Sequence, residues 1–320
     1  MLSPENIKII KINPEQIDLN NRDFYIPSFE SLALLAVSIQ NVGILNPPLV
    51  KQTSNGLFVP VLGRRRIEAL KDLGSYMIEV KVAPPSLSVE QAFLVVFWDN
   101  LDRIRMDSGV RAYVISRLLE LFPVQTLVQS VFPALNTAPI GPSIERLRKI
   151  GGLEDHILKA LSCGKINEKS AVILEEMQVD QREILFELIS QLALNSNKAF
   201  ELISQLFDLS VYWKESISDL LGRPEVRVLL DDTSIGLTEK AALVRDLVRR
   251  WKFPEISRDR KNFEKWVKDL NPPGNVSIRP SQSFEDDSVY VEIRLRSRAH
   301  VQELTEVARR LEQEISYLKE

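Results

Sequence analysis

A chain of 320 residues is about two domain-lengths at ~150 residues per domain, so at least one internal boundary is expected. An apolar content of 44% with 27% charged residues excludes a disordered, collagenous or fibrous chain, and a formal net charge of −3 excludes a protein held on nucleic acid by overall charge. One cysteine, Cys163, and two histidines, His156 and His300, exclude a disulfide framework and a structural zinc site.

The first eighty-odd residues mix strand and helix signals. Ile7 to Ile12 read as an opening strand, and Phe29 to Val42 place Leu32, Leu35, Ala36 and Ile39 on one helical stripe, with Gly43 as the C-cap. Pro47-Pro48 lead into a short strand at Leu49, Asn55-Gly56 make a turn, and Leu57 to Leu62 form another strand. Arg65 to Leu73 return to helix before Gly74, and Met77 to Val82 close a compact α/β unit. The Pro84-Pro85 pair marks the first boundary.

From there to about residue 270 the chain reads mostly as helix. Val89 to Leu101 and Val110 to Phe122 are the first two helices, and Pro123, Pro133, Pro139 and Pro142 are expected to break the next stretch into short pieces. Ser143 to Ile150 form a further short helix before Gly151-Gly152. Cys163, at an apparent helix end, reads as a small packed side chain. The phrase GluLeuIleSerGlnLeu occurs at 187–192 and again at 201–206; two copies make no solenoid and imply only similar helices packed in similar ways.

After Asn271-Pro272-Pro273-Gly274 the pattern changes to strands. Val276 to Pro280 are extended, and Ser288 to Ser297 alternate, with Val289, Val291, Ile293 and Leu295 on one face. A final helix carries Val301, Leu304, Val307, Leu311, Ile315 and Leu318 at coiled-coil spacing. A hairpin and one helix are too small to bury their own apolar face, so either a homodimer or the chain's own helical region must cover it, with the homodimer expected. No run reaches the ~20 apolar residues that span a bilayer, and the N-terminus carries no signal-peptide pattern, so no membrane association and a cytoplasmic location are expected.

The chemistry concentrates around Gly63-Arg64-Arg65-Arg66, between a strand and a helix. A helix start presents unpaired backbone N–H groups, and arginine supplies forked donors that match phosphate oxygens. Cations crowded at the positive end of a helix dipole repel one another unless an anion binds. The alternative is a solvated basic turn in which Arg66 pairs with Glu68 or Asp72. Farther on, Asp99 and Asn100 offer hard oxygen ligands for magnesium, and Arg103, one turn on, can clamp phosphate at the same place; alternatively this is only a polar helix end.

Together these segments resemble the ParB family of chromosome and plasmid partition proteins. Residues 31–43 followed by Asn46-Pro47-Pro48-Leu49-Val50 are similar to the family's LAxSIxxxGxxxPxxV segment, 63–69 to its GERR box, and 99–103 to its ENxxR box. The resemblance implies an α+β chain in three parts: a ParB-like α/β nucleotide-binding domain over 1–83, a mainly α-helical, DNA-binding region over 84–270 with a degenerate helix-turn-helix, and a β-β-α dimerisation module over 271–320. It implies CTP and Mg²⁺ as ligands, with the nucleotide closing a dimer into a clamp on DNA. By position, Gly63, Arg65 and Arg66 contact phosphates and Arg64 adds positive charge. Asn100 and Arg103 complete the site with Asp99, and Gly43 and Arg22 join the nucleotide-binding set. Asp99 and Asn100 are the metal-binding and catalytic pair.

Two departures bear on activity. Arg64 stands where the family has glutamate, and Asp99 is one methylene shorter than the family's glutamate. A misplaced carboxylate can cost about 100-fold in rate, so nucleotide binding is favoured over fast hydrolysis and slow CTPase activity stays open. Related sulfiredoxins carry a cysteine in this turn, and none stands here.

For DNA, Gly164 to Ala171 resemble the segment that comes after the family's helix-turn-helix. Ser143, Arg146, Arg148 and Lys149 are then the candidate DNA-binding residues, with Glu145 opposing them and a purely structural helix as the alternative. Arg245 to Lys261 hold seven basic against three acidic side chains and could grip a DNA backbone without reading sequence, or form a solvated face. The resemblance further implies a nucleoid-associated location and a ParA-like ATPase as partner. Competing functions are a nuclease or small-molecule kinase on the same domain, and a dimeric regulator or scaffold with a relic pocket.

Overall fold

The structure is a computed structural model that describes residues 7–136, 141–281, 288–294 and 308–309. It divides into two compact units, one of Met1–Ser190 with Leu194–Ile203 and one of Gln191–Ala193 with Ser204–Glu320.

The first unit opens with β1 (Lys8–Ile12), α1 (Ala33–Val42), β2 (Leu49–Gln52), β3 (Phe58–Leu62), α2 (Arg64–Asp72) and β4 (Ile78–Val82). The strands order as β1-β4-β2-β3, with β4 parallel to β2 and the other pairs antiparallel. Pro60 sits in β3 without a ladder cost because β3 is an edge strand. The expected α1 stripe is the buried one: Ile39 belongs to the core with Val50, Phe58, Ile67, Ile78 and Val80, and Leu35 and Ala36 pack against it. Truncating a fully buried residue such as Ile67 costs ~2–5 kcal/mol, so this cluster holds α2 firmly on the sheet. Gly43 ends α1 with φ +70°, its N–H bonded to the Ile39 carbonyl.

Next come α3 (Val89–Asp99), α4 (Leu101–Met106), α5 (Ser108–Leu121), α6 (Val124–Ala134), α7 (Gly141–Gly151), α8 (Asp155–Ser162), α9 (Glu168–Glu176) and α10 (Val179–Gln191). A capping box between Ser88 and Gln91 starts α3, which packs on β3. The break at Asn100 and the separate α4 were not anticipated. The prolines do not shorten α6 as expected, because Pro133 lies in its last turn and α6 runs for 11 residues. Pro142 likewise falls in the first turn of α7, where a missing N–H is harmless. At Gly151 α7 approaches α5 so closely that a Cβ there would lie 2.3 Å from the Ala112 carbonyl oxygen. Cys163 caps α8 and is exposed, not packed as expected, and no disulfide partner exists for it.

Helix α11 (Ser196–Trp213) is next, and the second unit continues through α12 (Ile217–Gly222), α13 (Pro224–Asp231), α14 (Leu237–Lys252), α15 (Pro254–Leu270) and the hairpin β5 (Val276–Pro280) with β6 (Val289–Ile293). The hairpin register puts Val276 opposite Ile293 and Ile278 opposite Val291. Its apolar face packs on α15 through Phe263, Trp266 and Leu270, so the chain's own helix covers much of it. The expected terminal helix over 301–318 and the strand end at Leu295 lie outside the described residues.

Candidate functional site

Strand β3, buried from Phe58 to Val61, delivers the chain to Gly63 at a fixed point on the sheet edge. Gly63 takes φ +79°, a left-handed conformation that a side chain disfavours, and a Cβ there would press on the Arg66 guanidinium at 2.9 Å. Helix α2 then starts with no side-chain cap and no acidic residue in its first turn. Its first three positions are Arg64, Arg65 and Arg66. Each cation at this end of the dipole costs ~0.3–1 kcal/mol unless neutralised.

The turn faces the α3–α4 junction across a cleft of about 370 Å³. Gly63, Arg64, Arg65 and Arg66 line it from one side, and Asp99, Asn100 and Arg103 from the other. The two sequence boxes, some 35 residues apart, therefore form one site. Its remaining wall is apolar, with Phe24, Ile26, Leu35, Val61 and Val96. A cationic floor beside an apolar wall suits a ligand with both an anionic and a flat, weakly polar part.

The arginines are only partly occupied. Arg64 bonds Glu68 at 2.9 Å and the carbonyls of Leu19 and Asn21. Arg65 bonds Glu30 at 2.6 Å and the Ser31 carbonyl at 3.1 Å, and Arg66 donates to the Asn46 carbonyl. Among the described residues neither carboxylate of the solvated-turn alternative pairs with Arg66; Glu68 belongs to Arg64. Among the described residues, the buried Nε atoms of Arg65 and Arg103 and the buried Oγ of Ser28 have no hydrogen-bond partner, and all three residues line this cleft. Burial first, and the neighbouring Arg65 charge second, pull the Arg103 guanidinium below its ordinary value. A guanidinium that remains protonated there is held at a cost, which a bound anion would relieve.

Asp99 is exposed at the end of α3. Asn100 donates its side-chain N–H to the Val96 carbonyl at 2.8 Å, which leaves its amide oxygen as the acceptor of the pair. The cleft carboxylates are Asp99 and Glu68, the latter held by Arg64. That donor set suits a magnesium ion bound mainly through phosphate and water oxygens, with Asp99 and Asn100 at its edge.

Arg22 and Gly43 are not among the lining residues. Arg22 bonds Asp155 at 2.7 Å, at the start of α8, and lies 4.1 Å over the Tyr25 ring. Burial lowers its pKa, and the hydrogen bond and charge of Asp155 more than offset that, leaving it raised. Tyr25 lines the cleft, donates to Asp155 at 3.1 Å, and has Arg64 5.0 Å from its ring centroid. Burial and then Asp155 push its hydroxyl up to about 12. Tyr25 thus touches both the cleft and the first turn of α8. Sequence reasoning missed Tyr25 and Ser28; the apolar run Phe24-Tyr25-Ile26 before Pro27 was the available signal.

The DNA candidates all lie on α7, apart from this cleft. Ser143 is half-buried near its start. Arg146 pairs with Glu168 at 3.4 Å, Arg148 with Glu145 at 2.7 Å, and Lys149 with Glu175 at 3.8 Å.

Comparison with known proteins gives this geometry a family. The ParB N-terminal domain model matches residues 2–100. The nucleoid occlusion protein of Geobacillus thermodenitrificans (strain NG80-2) is 32% identical over 92 residues, covering 29% of this chain and 32% of that protein. The probable chromosome-partitioning protein ParB of Chlamydia muridarum is 24% identical over 208 residues, covering 56% of this chain and 70% of that protein. C-terminally truncated ParB from Caulobacter crescentus, solved with CTP-gamma-S, is 20% identical over 57% of this chain and 99% of its own, with a TM-score of 0.27. The chain thus spans about a third of the nucleoid occlusion protein. Residues 2–100, which hold the sheet and the cleft lining up to Asn100, match the ParB N-terminal domain, and Arg103 follows just after. Through that domain the chain is similar to ParB proteins. No helix among the described residues is long and apolar enough to cross a membrane.

Proposed function

We propose that this is a DNA-binding protein of chromosome or plasmid partition, nucleoid-associated, whose N-terminal cleft takes CTP with magnesium as the switch that closes a homodimer on DNA. The observation that carries the nucleotide assignment is the crowding of Arg65 against Arg103, with buried Nε atoms left unpartnered, in a cleft that also has an apolar wall. The arginines and the start of α2 would hold the triphosphate, and Phe24, Ile26 and Leu35 would flank the base. Asp99 and Asn100 would meet the metal, and the exposed position of Asp99 favours binding over fast turnover. Tyr25 supports the coupling, because it links the cleft to α8 through Asp155. The three-part division at 83 and 270, a reading helix in α7, dimerisation through 271–320 and a ParA-like ATPase partner belong to the same proposal.

The nuclease reading has less support. Among the described residues no group of three or more His, Cys, Asp or Glu is arranged to hold a metal ion, and a two-metal nuclease needs clustered carboxylates.

The test is calorimetric titration of the chain with CTP, ATP, GTP and UTP in magnesium. CTP is expected to bind tightest, and Arg65→Ala with Arg66→Ala should weaken it by about 100-fold, since a hydrogen bond to a charged group is worth ~1.5–3 kcal/mol. Equal affinity for all four nucleotides, or an unaffected double variant, would sink the assignment.

A further inference from the structure

A second cationic site lies in the second unit, at the elbow where α14 gives way to α15. A notch of about 100 Å³ there is lined by Arg249, Arg250, Arg260 and Lys261 around Phe253. Sequence placement alone accounts for part of this. Arg249 and Arg250 occupy the last turn of α14, where the helix dipole favours cations. Arg260 and Lys261 fall in the second turn of α15, near its positive end, where the dipole gives them nothing.

The carboxylates of the notch do not neutralise it. Asp246 takes Arg250 at 3.2 Å. Glu264 stands four residues after Arg260 and three after Lys261, the spacing for a helical ion pair, yet it pairs with neither. Among the described residues the side chains of Arg249, Arg260 and Lys261 make no hydrogen bond or ion pair. Three uncompensated cations on two helices suit a run of phosphates better than one small anion, which a single arginine fork already satisfies. A lipid surface fits less well. The apolar stripes Val244, Leu247 and Val248 of α14 and Phe263, Trp266 and Leu270 of α15 are buried, so the elbow offers Phe253, 38% exposed, and little else to insert.

We propose that the α14–α15 elbow is a sequence-independent contact for the phosphate backbone of duplex DNA, made by Arg249, Arg260 and Lys261. It rests on the DNA-binding part of the function proposed above, and it uses none of the residues of the nucleotide cleft. The slightly acidic net charge of the chain then sets its character: affinity comes from a local array and falls steeply with salt.

The experiment titrates the full chain with a random-sequence duplex at several salt concentrations, without nucleotide. The variant Arg249→Gln with Arg260→Gln and Lys261→Gln should bind about tenfold more weakly at low salt, with a log–log salt slope shallower by about 2–3, near 0.9 per phosphate lost. Arg260→Lys keeps the charge and should keep the slope. An unchanged circular dichroism spectrum and CTP affinity show that the variant is folded. The proposal is overturned if the triple variant matches the parent, if the parent ignores random duplex at low salt, or if the variant loses only binding to anionic phospholipid vesicles. Failure of the chain to bind CTP would overturn the cleft assignment alone and leave this slope change standing.

Discussion

The two arginine-rich surfaces of the first unit are built on opposite principles. On α7 every candidate cation has a carboxylate: Arg146 has Glu168, Arg148 has Glu145 and Lys149 has Glu175. In the cleft at the start of α2, four arginines meet few acids, Arg65 and Arg103 keep buried Nε atoms without partners among the described residues, and Arg64, Arg65 and Arg66 sit at the helix end where positive charge is disfavoured. The α7 surface is at rest as it stands. The cleft holds partly buried, unpaired positive charge, which a bound anion would relieve.

The largest effect should come from removing one side of that contrast. Arg103→Met deletes a half-buried charge pressed against Arg65 and leaves an apolar stem of similar length. CTP affinity should fall ~10- to 100-fold, the worth of a charge-assisted bond. The ligand-free protein should at the same time melt about 1–3 °C higher, because an unpaired, half-buried charge has gone. Arg148→Met on α7 should give no such gain. Calorimetry and thermal melts of both variants decide it; a ligand-free Arg103→Met protein that melts lower would show that the charge is structurally paired.

Magnesium should matter less than the arginines. Under the proposed function the protein's contribution to the metal would be Asp99 and Asn100, which line the cleft, with phosphate and water supplying the rest. Chelating the ion should therefore weaken CTP by roughly tenfold without abolishing binding. Asp99→Asn should reproduce most of that loss in the presence of magnesium and little of it in EDTA. Full loss of binding in EDTA would mean that the metal, not the guanidinium floor, holds the triphosphate.

How far each feature was legible in the sequence depended on the range of its signal. The α/β core was readable because alternation and helical stripes are local: Ile39, Val50, Ile67 and Val80 could be placed inside from their immediate neighbours. The cationic end of the cleft was readable for the same reason, since Gly63 and three arginines are contiguous. Features set by distant partners were not. Tyr25 finds Asp155 across 130 residues, and nothing at either position announces the pair. The contact of α15 with the β5–β6 hairpin is likewise set by packing between elements and has no local signal. Proline misled where its position in the helix mattered more than its presence, as Pro133 in the last turn of α6 shows.

The smallest effect tests whether α7, quiet as it is, still meets DNA. The hydrogen bond from Arg148 above all holds the Glu145 carboxyl below the usual carboxylate range. A carboxyl so lowered is ionised and paired above its folded pKa and is released only as pH falls through it, so near pH 7 Arg148 stays engaged. The pair is exposed and easily parted, and a phosphate can compete for the guanidinium at little cost. Glu145→Gln removes both the competitor and a charge that repels the backbone. If α7 lies against DNA, affinity should rise by roughly two- to fivefold and the salt slope should steepen by about 1, one further phosphate neutralised. If α7 is purely structural, neither quantity should move, while the Arg249, Arg260 and Lys261 variant still flattens the slope. That outcome would put the DNA contact on the α14–α15 elbow and leave α7 as a packing helix, held against α5 by the close approach at Gly151.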